Sequence, residues 1–144
     1  MVSSKKSPFH VALIEASVRH KEESRKEFQK LDLSEGKPKI LSYLLDHEGI
    51  PQRELAENCH VKPATITFLL EKMLADGLIW KKTLHISGGK RALGIYLTEE
   101  GRQLALRCRD IVKEMEIRSL QGFSEEEKET LILLLNRVSE NLSH

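Results

Sequence analysis

The order of periodicities along residues 52–98 predicts a mainly α fold that carries one small β-hairpin, an α+β arrangement. Two short amphipathic segments follow one another closely, and the second buries Ile66, Leu69, Leu70 and Met73 at i, i+3, i+4 and i+7, one stripe of a 3.6-residue period. Two β-rich runs come next. Between them stands a Gly-Gly pair flanked by Lys and Arg, the punctuation of a hairpin.

Each element has its own local reason. Residues 1–6, MVSSKK, give a frayed start, after which Ser7 and Pro8 cap and open a helix to about Lys30. Ser34 is placed to cap a second helix running to about Glu48. In the next helix Leu55 and Ala56 form the inner face, Ala56 being small enough for another helix to cross close by, and Cys59 takes an apolar slot. His60 holds the turn, where histidine tolerates left-handed geometry better than bulky apolar residues do, and Val61 plugs it. Pro63 suits a first helical position because its missing N–H is one the helix leaves unpaired anyway. Ala64, Thr65, Thr67, Phe68 and Glu71 then face outward. Gly77 closes this helix in the αL conformation, and Leu78, Ile79 and Trp80 open a strand. A loop from Lys81 to Arg91 leads to the second strand, Leu93 to Leu97. Thr98 caps a long helix to about Leu120, with Glu99 and Glu100 at its positive end, and Gly122 breaks it. Ser124 and Glu127 form a capping box, and Leu131, Leu134, Leu135, Val138 and Leu142 give the last helix one apolar face.

Two close helices followed by a ribbon make a winged helix-turn-helix, whose default function is to grip duplex DNA. Charge supports this. Residues 62–91 hold Lys62, Lys72, Lys81, Lys82, Lys90 and Arg91 against Glu71 and Asp76, a local net of +4, whereas residues 124–143 carry −3. The overall charge of +1 therefore hides a polarised chain. Base-edge readout is expected from Thr65, Thr67 and Phe68, with Ala64 and Lys62 at the helix start. Lys81, Lys82, Lys90 and Arg91 are expected to meet phosphates or the minor groove.

From Leu33 to Leu104 the chain resembles the multiple antibiotic resistance regulator (MarR) family of bacterial transcription factors. The residues that carry the resemblance are LSEGKPKILSYLLDHEGIPQRELAE, VKPATITFLLEKMLADGLI and KRALGIYLTEEGRQL, and GFSEEEKETLILLLNRVSENL fits the family's closing helix. The resemblance implies a homodimer held by N- and C-terminal helices that represses genes through short pseudo-palindromic operators. It also implies that the helix from Pro63 to Ala75 enters the major groove and that the wing around Gly88 to Arg91 reaches the minor groove. Several positions depart from the family pattern. Gly89 stands where an Asp commonly precedes the wing Arg, here Arg91; Phe68 stands where Arg is frequent; Trp80 and Lys81 stand where a residue followed by Arg is frequent; and His60 stands where Gly is frequent. Phe68 can touch thymine methyls but cannot hydrogen-bond a base, so the operator need not follow a family consensus.

The remaining readings are largely exclusions. At 144 residues, 40% hydrophobic and 31% charged, a single domain is expected over 1–144, with a lobe at 34–98 and dimerisation helices at 8–31 and 99–143. The Leu-rich face near the end and Val11, Ile14 and Val18 in the first helix need a partner subunit to bury them. The stretch FHVALIEASV contains His10 and Glu15 and is too short to span a membrane, so a cytoplasmic protein with no membrane role is expected. Cys59 and Cys108 then read as buried free thiols. The six histidines are dispersed without metal-ligand spacing, so no metal site is expected. No phosphate loop, nucleophile elbow or HExxH occurs, so neither catalysis nor a cofactor is expected. A small aromatic or phenolic effector is expected in a cleft lined by the first helix, the helix at 34–48 and the long helix. A protein-interaction winged helix and a thiol- or ligand-responsive sensor are the alternatives from other classes.

Overall fold

The computed structural model describes residues 8–34, 36–85 and 87–143, and only the backbone of Ser87. The expected frayed start and the Ser7 cap lie outside the described residues. Among those residues the order is α1 (Pro8–Gln29), α2 (Lys37–Asp46), β1 (Ile50–Pro51), α3 (Gln52–Asn58), α4 (Pro63–Ala75), β2 (Ile79–His85), a 3-10 turn at Ser87–Gly89, β3 (Arg91–Leu97), α5 (Glu99–Ser119) and α6 (Glu125–Asn141). The fold is thus mainly helical, with a small antiparallel sheet of order β1-β3-β2. The chain divides into one compact unit ending at Val112 and a second beginning at Lys113.

The core of the first unit is the meeting of the predicted stripes. Ile40, Leu41 and Leu44 of α2, Leu55 and Ala56 of α3, and Ile66, Leu70 and Met73 of α4 are buried together with Ile79, Ile95 and Leu97 of the sheet and Ala105 and Cys108 of α5. Each large side chain buried there contributes about 1.5–3 kcal/mol. α1 has no buried residue, although Phe28 and Leu31 near its end pack against the core.

Helix ends fix how the elements cross. Cys59 lies one residue past α3, where His60 (φ 55°) turns the chain into the left-handed region. The His60 N–H donates to Glu57 O (3.3 Å) and the Val61 N–H to Ala56 O (2.9 Å), a Schellman closure that delivers Val61 onto the core. α4 closes in the same way. Gly77 (φ 75°) donates to Leu74 O at 3.1 Å and Leu78 to Met73 O at 2.9 Å.

Two boundaries correct the sequence reading. Ser34 does not cap α2; the cap position is Gly36 (φ 93°), and no side chain bonds there. A helix capped by Ser34 would require an N–H at Pro38, which has none, so the first turn starts later. The Lys81–His85 stretch is not loop either: each residue pairs with β3, from Lys81↔Ile95 to His85↔Arg91, so β3 opens at Arg91 and only a few residues form the tip.

The start of α5 is stitched to the turn between α4 and β2. The Thr98 hydroxyl donates to Gly77 O (2.6 Å) and accepts from the Gly101 N–H (3.0 Å), while the Thr98 N–H donates to Leu78 O (3.0 Å). A Cβ on Gly101 would stand 1.9 Å from that same Leu78 oxygen, so the backbones touch. Glu48 joins three segments: its carboxylate accepts from the Leu97 N–H (2.9 Å) at the end of β3 and from Arg102 (2.6 Å) on α5. Arg109 donates to Asp46 (2.7 Å) and to Ser42 O (3.1 Å), a second clasp on α2.

The second unit contains α6. Its capping box is formed as expected, with the Glu127 N–H on Ser124 Oγ (3.1 Å) and the Ser124 N–H on the Glu127 carboxylate (2.9 Å). No residue of α6 is buried; Ile132, Leu133, Leu134 and Leu135 are exposed.

Candidate nucleic-acid interface

Of the residues proposed for DNA contact, the structure brings five to the α4 end of the lobe. Lys62 is the N-cap of α4 and offers no side-chain acceptor, so the Ala64 and Thr65 amides of the first turn keep their donors at the positive end of the helix. Ala64, Thr65, Thr67 and Phe68 are all exposed. They do not form one face. At about 100° per residue, Ala64 and Phe68 lie opposite the buried stripe, while Thr65 and Thr67 sit on opposite flanks. Phe68 is 57% exposed, with the Lys72 ammonium 5.2 Å from its ring centroid, a cation–π contact that biases the ring toward one orientation.

The wing residues divide in the same manner. Side chains alternate across a strand, so Lys81, Thr83 and His85 share a face with Arg91, Leu93 and the core residue Ile95, whereas Lys82 lies on the opposite face with Trp80, Leu84 and Tyr96. Trp80 and Tyr96 stack there at 4.5 Å and 17°. Lys90 belongs to the tip. The tip itself needs two consecutive left-handed residues, Gly88 (φ 82°) and Gly89 (φ 75°), which only glycine adopts cheaply. Lys81 and Arg91 can therefore address one surface together, and Lys82 cannot join them without turning the ribbon over.

The cations of this surface are not neutralised locally, a property they share, among the described residues, with some others such as Lys39, Arg53 and Arg137. Arg102, Arg109, Lys26, Lys30 and Lys128 are all held by carboxylates. Among the described residues, Lys62, Lys81, Lys82, Lys90 and Arg91 have no carboxylate partner. Unneutralised charge on a protruding ribbon costs little in water and is available to phosphates.

Two features near this surface escaped the sequence reading. β1 supplies a third strand, pairing Ile50 with Ile95 and Pro51 with Gly94, and so anchors the base of the wing. Gln52, the first residue of α3, donates from Nε2 to Thr67 Oγ1 at 2.8 Å, and the Thr67 hydroxyl in turn donates to Pro63 O at 3.0 Å. The two residues are 15 positions apart in different helices, a separation no helical or strand period marks.

Comparison with known proteins agrees with this geometry. A family profile described as winged helix-turn-helix DNA-binding matches residues 37–79, from α2 to the start of β2. The uncharacterized HTH-type transcriptional regulator YybA of Bacillus subtilis is 34% identical over 81% of this chain and 76% of its own length. The chain belongs to the MarR family. The HTH-type transcriptional repressor YetL of Bacillus subtilis is likewise 34% identical, over 77% of this chain and 66% of its own length. A MarR family transcriptional regulator from Silicibacter pomeroyi has the same fold, with a TM-score of 0.80, 26% identity and coverage of 96% and 93% of the two chains.

The thiols lie in the core of the lobe. Burial pushes Cys59 up and pushes Cys108 up to about 11 from an ordinary 9.0, so neither is a thiolate near neutrality. Both should resist an aromatic disulfide reagent at pH 8 in the native protein and react within minutes in denaturant; fast native reaction of either would contradict this. Because the folded-state pKa of Cys108 is raised, its contribution to stability is intact below about pH 9 and is lost as pH climbs toward 11.

Proposed function

We propose that this MarR family member is a cytoplasmic homodimeric repressor that binds a pseudo-palindromic operator and releases it when a small molecule binds. What supports DNA binding most directly is the placement of unneutralised Lys81, Lys90 and Arg91 on a ribbon beside α4, whose exposed side chains are short or flat enough to approach base edges. Lys62, Ala64, Thr65, Thr67 and Phe68 are assigned to the major groove, with Lys81, Lys90 and Arg91 on phosphate or in the minor groove. Lys82, on the other face of the ribbon, is assigned to phosphates of an adjoining turn. The likeness to YetL, which is named a repressor, supports the direction of regulation. For the effector, an open groove of about 280 Å³ lies between α1 and α5, lined by Glu27, Lys30, Leu31, Arg107, Asp110 and Ile111. It takes nothing from α2, unlike the cleft expected from sequence, and its charges balance, with Lys30 paired to Glu27 and Arg107 lining it together with Asp110.

The test is a titration of Arg91→Ala against a randomised-duplex pool and one scrambled duplex over a range of salt. Binding to both should weaken together, and the slope of log K against log salt should fall by roughly one unit for each phosphate that is no longer neutralised. An intact chain whose duplex binding is absent or insensitive to salt would instead mark a protein-interaction winged helix.

A further inference from the structure

We propose that Gln52 is a positioning residue for base readout: by donating to Thr67, it makes the Thr67 hydroxyl a pure acceptor toward DNA and selects an amino-bearing base, adenine or cytosine, at the operator position that Thr67 faces. The inference rests on the DNA-binding reading and adds to it a polarity at one base pair.

A hydroxyl has one proton and two lone pairs. The Thr67 proton is committed to Pro63 O, 3.0 Å away in the first turn of α4, and one lone pair takes the Nε2–H of Gln52 at 2.8 Å. One lone pair remains, on an exposed side chain on the flank of α4 that faces α3. In the major groove adenine N6 and cytosine N4 present donors, whereas guanine O6 and N7 and thymine O4 present acceptors. An acceptor-only hydroxyl pairs with the first two and meets the others acceptor to acceptor. Without Gln52 the hydroxyl regains its second lone pair, and its bond to Pro63 O loses the polarisation that an incoming donor gives it; the proton then turns outward more readily and can donate to guanine or thymine. Thr67 alone is therefore ambivalent, and the α3 residue gives it a sign.

The experiment selects bound duplexes from a randomised pool with the full-length chain and reads them by sequencing, for wild type, Gln52→Leu, Thr67→Val and the double variant. Melting temperatures and total pool affinity are recorded alongside to follow folding. Wild type should enrich adenine or cytosine about fivefold or more at one position in each half-site. Gln52→Leu and Thr67→Val should each flatten that same position and no other, and the double variant should do no more than either single one. Gln52→Met, which keeps the length but neither donates nor accepts strongly, should flatten it as well and substitutes if the leucine variant folds poorly. The proposal fails if Gln52→Leu and Gln52→Met leave the preference intact, if they change a position that Thr67→Val does not, or if wild type prefers guanine or thymine there. A pool that yields no enriched motif overturns the DNA-binding reading together with this one, whereas a motif indifferent to Gln52 overturns this one alone.

Discussion

Gly101→Ala will lower the stability of the lobe by about 3 kcal/mol, although alanine favours a helix over glycine by roughly 1 kcal/mol. The sign is decided by how closely two backbones approach. The added Cβ would lie 1.9 Å from Leu78 O, and that oxygen belongs to the main chain and is already fixed by the Thr98 N–H. Relief requires α5 to lift away from the turn between α4 and β2, which would break the Thr98 bonds to Gly77 O and to Leu78 O at once. For a chain of this size the loss corresponds to a fall of roughly 6–12 °C in melting temperature. Gln103→Ala, two residues on and exposed, serves as the control and should move it by no more than about 1–2 °C. Thermal melts of the three proteins decide the matter, and a Gly101→Ala protein as stable as wild type would show that the backbones do not touch.

Removing the apolar surface of α6 will abolish tight DNA binding while leaving the lobe folded. Ile132, Leu133, Leu134 and Leu135 are 46–61% exposed, a run of large aliphatic groups that water-facing helices avoid. In the proposed homodimer the second subunit covers them, and two half-sites then bind as one ligand. Ending the chain at Gln121, or introducing Leu134→Glu with Leu135→Glu, should give a monomer or a poorly soluble species by light scattering. Losing the linked half-site should weaken operator affinity by about 100-fold or more. A Leu134→Glu, Leu135→Glu protein that remains dimeric and binds normally would place the dimer interface elsewhere.

Much of this structure was legible because it is written in local chemistry. Pro63, the Ile66–Leu69–Leu70–Met73 stripe and Gly77 define α4 from first turn to cap, and Ser124 with Glu127 defines the start of α6. His60 in the left-handed region was readable from its place in the turn between two helices, which a histidine side chain tolerates. What was not legible depends on distant partners. Ile50–Pro51 is two residues long and becomes a strand only because β3 accepts it, and proline sits there because an edge position does not need its N–H. The division of Lys81 from Lys82 follows from alternation, but only once both are known to be strand rather than loop. Pro38 was visible in the sequence, and its missing N–H already ruled out the Ser34 cap. The Gln52–Thr67 bond and the Gly101–Leu78 approach join elements whose crossing no single segment encodes.

The carboxylate of Glu48 has a mechanical meaning for the proposed operator release. Gripping the Leu97 amide with one oxygen and Arg102 with the other, it leaves no slack between the base of the ribbon and the first turns of α5. The ribbon then behaves as a stiff pointer hinged at its root, and from Leu97 to Arg91 it is roughly 20 Å long. A pivot of about 5° at the root sweeps Arg91 through about 2 Å, more than a hydrogen bond tolerates. A molecule wedged in the groove beside Arg107 and Asp110 therefore need not reach the DNA surface to disarm it; it has only to tilt the helix in which Arg102 is set.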